Sequence, residues 1–319
     1  MTRLSNDLLD LVPRTEVGGP ELTFELDGLE IGCAEYEEGP TGCTVFEFPD
    51  GAAVQIDVRG GSPGSLGAHY EFVHAICLAG GSLYGLEAAT GVAAEIFARR
   101  GYRTGWLDIP LVAGAIVFDY GPRENGIYPD KELGRAALRA ARPGSFPLGA
   151  RGAGRSATVG KTFDFVGVEP GGQGGAFRQI GEMRIAVFTV VNAIGAVVDR
   201  DGTVVRGHLD EATGTRHALV PRVEERLTAG VPPRTPPGNT TLTVVVTNQR
   251  LDARLLRTLG RQVHASMARA IQPFHALVDG DVLFAVTTNE VEAGLESLEL
   301  GVVSSELAWD AVLAAVSDE

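Results

Sequence analysis

The sequence predicts an α+β fold, because short β-type segments occupy the first part of the chain and strands alternate with helices at its end. Its 319 residues are enough for one large domain or about two ordinary ones. With 44% hydrophobic and 21% charged residues, the composition is typical of a folded soluble protein. The 42 glycines indicate many tight turns and close backbone contacts.

The part of the chain before residue 200 contains most of the predicted strands. Short β-type runs lie at 22–26, 43–48 and 53–58, and Gly and Pro residues separate them. Residues 81–100 are rich in Ala, Gly, Leu and Ile, which predicts a largely buried helix. The elements predicted next are an apolar strand at 113–120, a helix at 131–141, and two strands within 185–198 that turn at 192–195.

The second half changes character at residues 217–239, which become charged and then proline-rich. We expect this segment to be exposed and to lack regular structure. Immediately afterwards, TLTVVVTN from Thr241 predicts a strand, and apolar residues at helical spacing predict a helix over 254–271. The segments VLFAVT and SELAWDAVLAAV add a strand and a closing helix, so the predicted tail is β-α-β-α.

Charge and cysteine content exclude several classes of partner. A net charge of −14 and a pI near 4.9 give a surface that repels nucleic acid and anionic lipid, so we expect neither as a partner. Cys33, Cys43 and Cys77 are odd in number and lack metal-site spacing, which predicts reduced, packed thiols. Without an apolar run of about 20 residues or a signal peptide, the chain is expected in the cytoplasm.

Two further motifs do not indicate a cofactor or a metal ion. GAGRSATVGKT is similar to a phosphate-binding loop, but five residues separate Gly154 from Gly160 where that motif needs four. The histidines lack zinc spacing, which favours packing or surface roles for residues 69, 74, 208, 217, 264 and 275. The glycine-rich loop RGGSPGSLG near residue 60 is interpreted as a mobile loop that lines a site or binds an anion.

The junction Gly238-Asn239-Thr240-Thr241 leads from the proline-rich segment directly onto a buried strand. Self-cleaving enzymes need Ser, Thr or Cys just after the cut, since this side chain attacks the preceding carbonyl. The cut then liberates an α-amine, with a reference pKa of about 8, which can accept the proton of the hydroxyl. Thr240 fits both roles, and the alternative is a polar turn before a strand.

Seven segments in consistent order resemble one family, the self-processing nylon-oligomer endohydrolases, which are related to the β-peptidyl aminopeptidases. The segments are EEGPTG (37–42), HAICLAGG (74–81), YGLEA (84–88), YPDKELGRAAL (128–138), GTVVRG (202–207), GNTT (238–241) and IQPFHALVDGDVLFAVTT (271–288). They lie within about residues 30–315, so the resemblance covers nearly the whole chain.

The resemblance implies a set of site residues. Asn239-Thr240 is the implied processing bond and Thr240 the nucleophile, with Asp279 and Asp281 as an acidic pair that orients the hydroxyl and the ammonium. Lys161 is the implied active-site lysine, which lowers the pKa of the amine or stabilises an anion. From the residues alone, the DGD segment indicates a turn, and the alternative for Lys161 is a solvated loop residue.

Two more positions follow from the resemblance. Asn192 matches an asparagine of the family site and is a candidate amide donor to an oxyanion, although NAIG alone indicates a turn. Phe118 stands where the family has a tyrosine. Tyr120, two residues further along the predicted strand, is the candidate replacement, because alternate residues of a strand share a face.

For fold and activity, the resemblance implies an αββα four-layer sandwich of the N-terminal-nucleophile-hydrolase type. Residues 1–319 form a single domain that is cut into an α fragment, 1–239, and a β fragment, 240–319, and pairs associate as a tetramer. The implied reaction is hydrolysis of linear 6-aminohexanoate oligomers or similar amides, without a cofactor. The alternatives are a β-peptidyl aminopeptidase, an acyltransferase of related self-cleaving architecture, and a ligand-binding scaffold that is never cut.

Overall fold

The computed structural model describes residues 3–161, 167–232, 238–292 and 295–317. Its helices are α1 (Leu86–Arg99), α2 (Lys131–Arg139), α3 (Leu219–Thr228), α4 (Ala253–Ser266) and α5 (Ser297–Ala314). Its strands are β1 (Glu21–Thr23), β2 (Glu30–Tyr36), β3 (Thr41–Val58), β4 (Ser65–Leu66), β5 (Phe72–Ala79), β6 (Val112–Ile116), β7 (Arg142–Pro143), β8 (Ser145–Pro147), β9 (Thr158–Val159), β10 (Glu169–Pro170), β11 (Gly172–Ile180), β12 (Met183–Asn192), β13 (Ala196–Val198), β14 (Val204–Arg206), β15 (Leu209–Asp210), β16 (Thr215–Arg216), β17 (Thr240–Gln249), β18 (Ile271–Gln272) and β19 (Val282–Val291).

A ten-stranded sheet forms the centre of the molecule, in the order β11-β12-β17-β19-β3-β5-β6-β4, with β2 and β7 attached beside β3. Its neighbours are antiparallel except for the parallel pairs β17–β19 and β5–β6. The 18-residue strand β3 joins the two halves. Its first part pairs with β2 and β5 and its last part with β19, and the register shifts between Glu47 and Ala52.

Three hydrophobic cores define four layers. The first contains Phe46, Ile76, Phe188, Val244 and Phe284, which come from both halves of the sheet, so the halves pack face to face. The second core packs α4 and α5 against the outer side of β12, β17 and β19. The third packs α1 and α2 against β2, β3 and β5. The predicted αββα sandwich is therefore confirmed, although its two sheets are hydrogen-bonded into one.

The predicted tail is confirmed, since β17, α4, β19 and α5 follow one another as β-α-β-α. The separate strands predicted at 43–48 and 53–58 are instead one strand, β3. Pro49 and Gly51 indicated a break, but a bulge accommodates them: Pro49 is exposed, and Gly51 has a φ of 76°. Proline is tolerated at a bulge, where no ladder hydrogen bond is lost.

Three other predictions need correction. The strand predicted at 113–120 ends at Ile116. The two strands within 185–198 exist, but β13 pairs with β14 and β18 rather than turning back onto β12. Residues 219–228, predicted to be irregular, form α3, which is exposed as expected. Pro221 lies in its first turn, where proline is compatible with a helix. The proline-rich residues 233–237 lie outside the described residues.

Within the part of the chain that the structure describes, no helix has both the length and the apolar character needed to cross a membrane.

Candidate functional site

Thr240 is the first residue of β17 and is buried. It lies opposite Asn192, the last residue of β12. On its other side β17 runs parallel to β19, which begins just after Asp281. Because parallel strands start at the same edge of a sheet, the loop that carries Asp279 and Asp281 lies beside Thr240. The topology thus explains why residues 40 positions apart meet.

The carbonyl group between Asn239 and Thr240 has two donors. The Gly280 N–H donates to the Asn239 carbonyl oxygen, with an N to O distance of 2.8 Å. The Thr240 hydroxyl donates to the same oxygen at 2.5 Å. A Cβ atom on Gly280 would lie 2.6 Å from the Thr240 Oγ1, so only glycine fits this position. The hydroxyl is therefore in contact with the carbonyl group of the preceding peptide bond.

Asp279 is buried beside this carbonyl, and Asn239 and Asp279 form a parallel β-bridge. Its Oδ2 accepts a hydrogen bond from the Ala276 N–H at 2.8 Å, whereas its Oδ1 has no hydrogen-bond partner among the described residues. Burial, followed by the charge of Asp281, raises the pKa of Asp279 to about 7. This carboxyl group therefore changes its charge near neutral pH.

Asp281 holds the backbone beyond Thr240. Its Oδ1 accepts from the Thr241 N–H at 2.7 Å, and its Oδ2 accepts from the His275 N–H at 3.1 Å. The His275 Nδ1 lies 3.0 Å from the same Oδ2. These contacts make Asp281 an anchor for the start of β17. Sequence patterns alone gave His275 only a packing or surface role.

Lys161 and Asn192 form a second group on the other side of Thr240. The Lys161 Nζ donates to the Asn192 Oδ1 at 2.8 Å and to its carbonyl oxygen at 3.2 Å. Lys161 is only 3% exposed, so the alternative of a solvated loop lysine is wrong. Burial lowers its pKa to about 7, opposed by the charges of Asp279 and Asp119.

The side-chain amide of Asn192 holds this group together through hydrogen bonds at both of its polar atoms. Its Oδ1 also accepts from the Thr158 N–H at 3.0 Å, and its Nδ2 donates to the Phe118 carbonyl oxygen at 3.0 Å. The N–H group that donates to the Asn239 carbonyl oxygen belongs to Gly280 rather than to Asn192. The proposed role of Asn192 at an oxyanion stays a prediction.

A cleft of about 480 Å³ opens over Thr240. Residues of the glycine-rich loop, Ser62 to Gly64, form one wall, and Phe118 forms another. This confirms that the loop lines the site. Tyr120 lies in a neighbouring cavity, with its ring centroid 5.5 Å from that of Phe118 and the Arg123 guanidinium over its face. Since β6 ends at Ile116, Phe118 and Tyr120 do not share the face of a strand as predicted.

Two backbone positions at this site were not indicated by any sequence pattern. Gly280 was visible only as the middle of DGD, and Gly60 only as part of a glycine-rich loop. A Cβ atom on Gly60 would lie 2.3 Å from the Asp279 carbonyl oxygen and from the Asp281 nitrogen. The Gly60 N–H donates to the Asp281 carbonyl oxygen at 3.3 Å. Both glycines thus permit a close approach that a side chain would prevent.

Within the described residues, no group of three or more His, Cys, Asp or Glu side chains is arranged to hold a metal ion. The site consists of a hydroxyl group, two carboxyl groups, an amine and backbone N–H groups. Such a set of groups is suited to nucleophilic attack on a carbonyl carbon, with proton transfer and stabilisation of an oxyanion.

Comparisons with known proteins agree with this chemistry. The 6-aminohexanoate-oligomer endohydrolase of Agromyces sp. (strain KY5R) is 47% identical over 321 aligned residues, covering 97% of this chain and 90% of the relative. The endohydrolase of the same name from Paenarthrobacter ureafaciens has the same identity and coverage.

Solved structures support the fold. The L-aminopeptidase D-Ala-esterase/amidase of Ochrobactrum anthropi, described as a variant of the Ntn hydrolase fold, superposes with a TM-score of 0.65 at 14% identity. The match covers 94% of this chain and 88% of that one. The sequence profile of peptidase family S58 matches residues 24–318. The chain therefore belongs to peptidase family S58 and is a hydrolase that acts on amide bonds.

Proposed function

We propose that the chain cuts itself between Asn239 and Thr240, and that Thr240 then serves as an N-terminal nucleophile that hydrolyses linear 6-aminohexanoate oligomers or similar amides. The observation that carries the proposal is the position of the Asn239 carbonyl oxygen, which receives the Thr240 hydroxyl at 2.5 Å and the Gly280 N–H at 2.8 Å. The hydroxyl of the proposed nucleophile and an N–H group suited to stabilising an oxyanion therefore both contact the carbonyl group of this peptide bond.

Self-cleavage starts when the Thr240 oxygen attacks the Asn239 carbonyl carbon. The Gly280 N–H stabilises the oxyanion, and the Asp279 Oδ1 is available to take the hydroxyl proton. Collapse of the tetrahedral intermediate breaks the C–N bond, and the proton passes to the Thr240 nitrogen. The Asn239 acyl group then remains as an ester on the Thr240 Oγ1. Water then hydrolyses the ester, leaving a carboxylate on Asn239 and an α-amine on Thr240.

Hydrolysis of a substrate uses the same groups as self-cleavage. The acyl group of the substrate becomes bound to the Thr240 Oγ1, as the acyl group of Asn239 does in the ester of self-cleavage. We therefore expect the Gly280 N–H to stabilise the oxyanion in both reactions. The α-amine takes the hydroxyl proton and delivers it to the leaving amine, and Lys161 helps to keep that amine unprotonated. Water then releases the acyl group from Thr240.

The choice of substrate rests on the relatives. Two proteins that are 47% identical over most of this chain are named 6-aminohexanoate-oligomer endohydrolases. The cleft volume of about 480 Å³ lies within the roughly 300–1,000 Å³ typical of small-molecule sites. We therefore assign linear amides with aliphatic spacers as the substrate class.

The central test is the intact mass of the purified protein under denaturing conditions. Residues 240–319 account for about 8.4 kDa and residues 1–239 for about 25.1 kDa, if the 33.5 kDa is shared evenly along the chain. We expect both masses, and the smaller fragment should begin Thr-Thr-Leu-Thr. A full-length mass that persists on prolonged warming would contradict the proposal.

The pH dependence of self-cleavage gives a second prediction. Asp279 must be ionised to accept a proton, and its pKa is raised to about 7, so the rate should fall below that pH. Lys161 loses its charge above a pKa of about 7, so an anionic intermediate should be less stabilised there. The rate of cutting of freshly refolded precursor should therefore peak near pH 7.

The control for this profile is Asp279→Asn, which cannot titrate. Any residual cutting by this variant should lose the decline on the acid side while keeping the decline on the alkaline side. A wild-type rate that rises steadily from about pH 5 to pH 9 would exclude the carboxylate as proton acceptor.

Self-association and location complete the proposal. We infer that the cut pairs assemble further, as a tetramer, through the loop after α1, where Trp106 is 86% and Leu107 92% exposed beside Ile109. Light scattering of wild type and Leu107→Glu tests this, because a charge in an apolar interface should shift the protein toward smaller species. Cys33, Cys43 and Cys77 are buried free thiols, which supports a reducing compartment such as the cytoplasm.

A further inference from the structure

His275 lies in the loop between β18 and β19, beside the site, and its ring contacts two other rings. The centroid of the Phe274 ring is 3.9 Å away, with an interplanar angle of 31°. The centroid of the His264 ring is 4.4 Å away, with an interplanar angle of 83°. The side chain of His275 is mostly buried, and these two contacts restrict the orientation of its ring.

The His275 ring is oriented so that its Nδ1 meets Asp281. The Nδ1 lies 3.0 Å from the Asp281 Oδ2, and the His275 N–H donates to the same oxygen at 3.1 Å. The Asp281 Oδ1 accepts from the Thr241 N–H at 2.7 Å. Both oxygens of Asp281 therefore act as acceptors, which assigns the ring hydrogen to the Nδ1. His275 thus donates two hydrogen bonds to one carboxylate.

Packing alone does not explain a histidine at position 275. Its φ is 59°, in the left-handed region that glycine and asparagine adopt more readily than most other residues. Its Nε2 is buried and has no hydrogen-bond partner among the described residues. Both features lower the stability of the fold. The favourable contribution of this side chain is its Nδ1–H group.

His264 supports the His275 ring from α4. It is fully buried, and its Nδ1 lies 2.9 Å from the Oδ2 of Asp57, which also accepts from the Arg59 Nε at 2.6 Å. Burial lowers the pKa of His264, so its ring is uncharged at neutral pH and lies against His275 without charge repulsion. Contacts through Asp57, His264, His275 and Asp281 therefore connect β3 with the start of β17.

We infer that His275 is a positioning residue for Thr240. Its two N–H groups orient the Asp281 carboxylate, this carboxylate holds the Thr241 N–H, and the peptide group that follows Thr240 is thereby fixed. This inference rests on the proposed function. Since His275 acts through Asp281, it contributes geometry rather than proton transfer, and both self-cleavage and amide hydrolysis should depend on it.

The test compares two substitutions that both suit the left-handed backbone. His275→Asn places an amide N–H where the ring has its Nδ1, whereas His275→Gly removes the donor. Neither variant has the ring, so both lose the same packing. Precursor should be refolded, and its decay followed on a denaturing gel. His275→Gly should cut at least about tenfold more slowly than wild type, and His275→Asn should cut within about threefold of it.

Tyr102→Gly is the matched control, because it removes an aromatic side chain from another left-handed position. Tyr102 has a φ of 58°, and its ring centroid lies 5.2 Å from that of Phe97, on the loop after α1. It contacts none of the groups at the site that the structure describes. This variant should cut at the wild-type rate.

The cut enzyme provides a second measurement, with a linear 6-aminohexanoate trimer as the probe. The described residues that line the cleft over Thr240 do not include His275. His275→Gly should therefore lower kcat about tenfold or more and leave KM within about twofold of the wild-type value. A change in KM alone would show that the residue affects binding rather than the position of Thr240.

The outcomes separate this inference from the proposed function. If wild type cuts itself but His275→Asn and His275→Gly are slowed equally, or not at all, the Nδ1–H group has no positioning role and only the inference fails. If His275→Gly does not fold according to circular dichroism, His275→Asp replaces it, since aspartate has the shape of asparagine without the donor. If wild type does not cut itself, the proposed function fails, and the inference fails with it.

Discussion

Thr240→Val abolishes both self-cleavage and amide hydrolysis in our proposal, which makes it the substitution with the largest expected effect. Valine keeps the shape and β-propensity of threonine but lacks the hydroxyl that contacts the Asn239 carbonyl oxygen at 2.5 Å. The variant should remain at 33.5 kDa, and hydrolysis of any amide probe should fall by about 10⁴-fold or more. Intact mass and steady-state rates measure the two effects.

Thr241→Val is the matched control for this substitution. Thr241 is the next residue of β17 and is equally buried, but its hydroxyl has no hydrogen-bond partner among the described residues. Its contact with Asp281 uses the backbone N–H, which valine retains. This variant should therefore cut itself and turn over substrate within about threefold of wild type. Equal behaviour of the two variants would show that the Thr240 hydroxyl has no special role.

Gly280→Ala should have the second-largest effect, although it adds only one methyl group. Its Cβ would lie 2.6 Å from the Thr240 Oγ1 and 3.0 Å from the Ser62 carbonyl oxygen, so either the hydroxyl or the N–H must move. Loss of one oxyanion donor lowers a rate by about 10²–10³-fold. Self-cleavage should slow by at least about 10²-fold, measured as the decay of precursor on a denaturing gel.

A glycine on an exposed loop provides the control for Gly280→Ala. At Gly105 an added Cβ would meet only the Asp108 carboxylate, at 2.7 Å, which is the end of a partly exposed side chain that pairs with Arg103 at 2.9 Å and can shift at the surface. Gly105→Ala should therefore cut at the wild-type rate. Normal cutting by Gly280→Ala, with the variant folded according to circular dichroism, would remove Gly280 from the proposed mechanism.

Hydrophobic periodicity was sufficient to predict the elements that carry the site. The segment TLTVVVTN from Thr241, rich in β-branched residues, predicted β17, which is buried along its whole length. The helical spacing of Leu256, Leu259 and Val263 predicted α4, whose buried face consists largely of these residues. These predictions succeeded because burial on one face or on both faces leaves a direct pattern in the sequence.

The remaining features depend on distant contacts that a local pattern does not contain. Pro49 and Gly51 are turn residues by local rules, but pairing with β5 and β19 on both sides carries the strand through them. After Gly195 the chain leaves β12 because β13 pairs with β18, a strand more than 70 residues further along the chain. Gly195 allows this close approach, since a Cβ atom there would lie 2.4 Å from the Pro273 carbonyl oxygen. Likewise, the hydrogen bond from the Gly280 N–H to the Asn239 carbonyl oxygen exists only in the folded chain.

Because β17 and β19 lie inside the sheet, two separated fragments of this protein would reassemble with difficulty. Both strands come from residues 240–319, yet β12 and β3, from residues 1–239, flank them on either side. The uncut chain folds in a unimolecular reaction, whereas two separated pieces must find each other in a bimolecular one. Once cut, the protein should refold poorly and in a concentration-dependent manner, so its lifetime is governed by its unfolding rate rather than by an equilibrium.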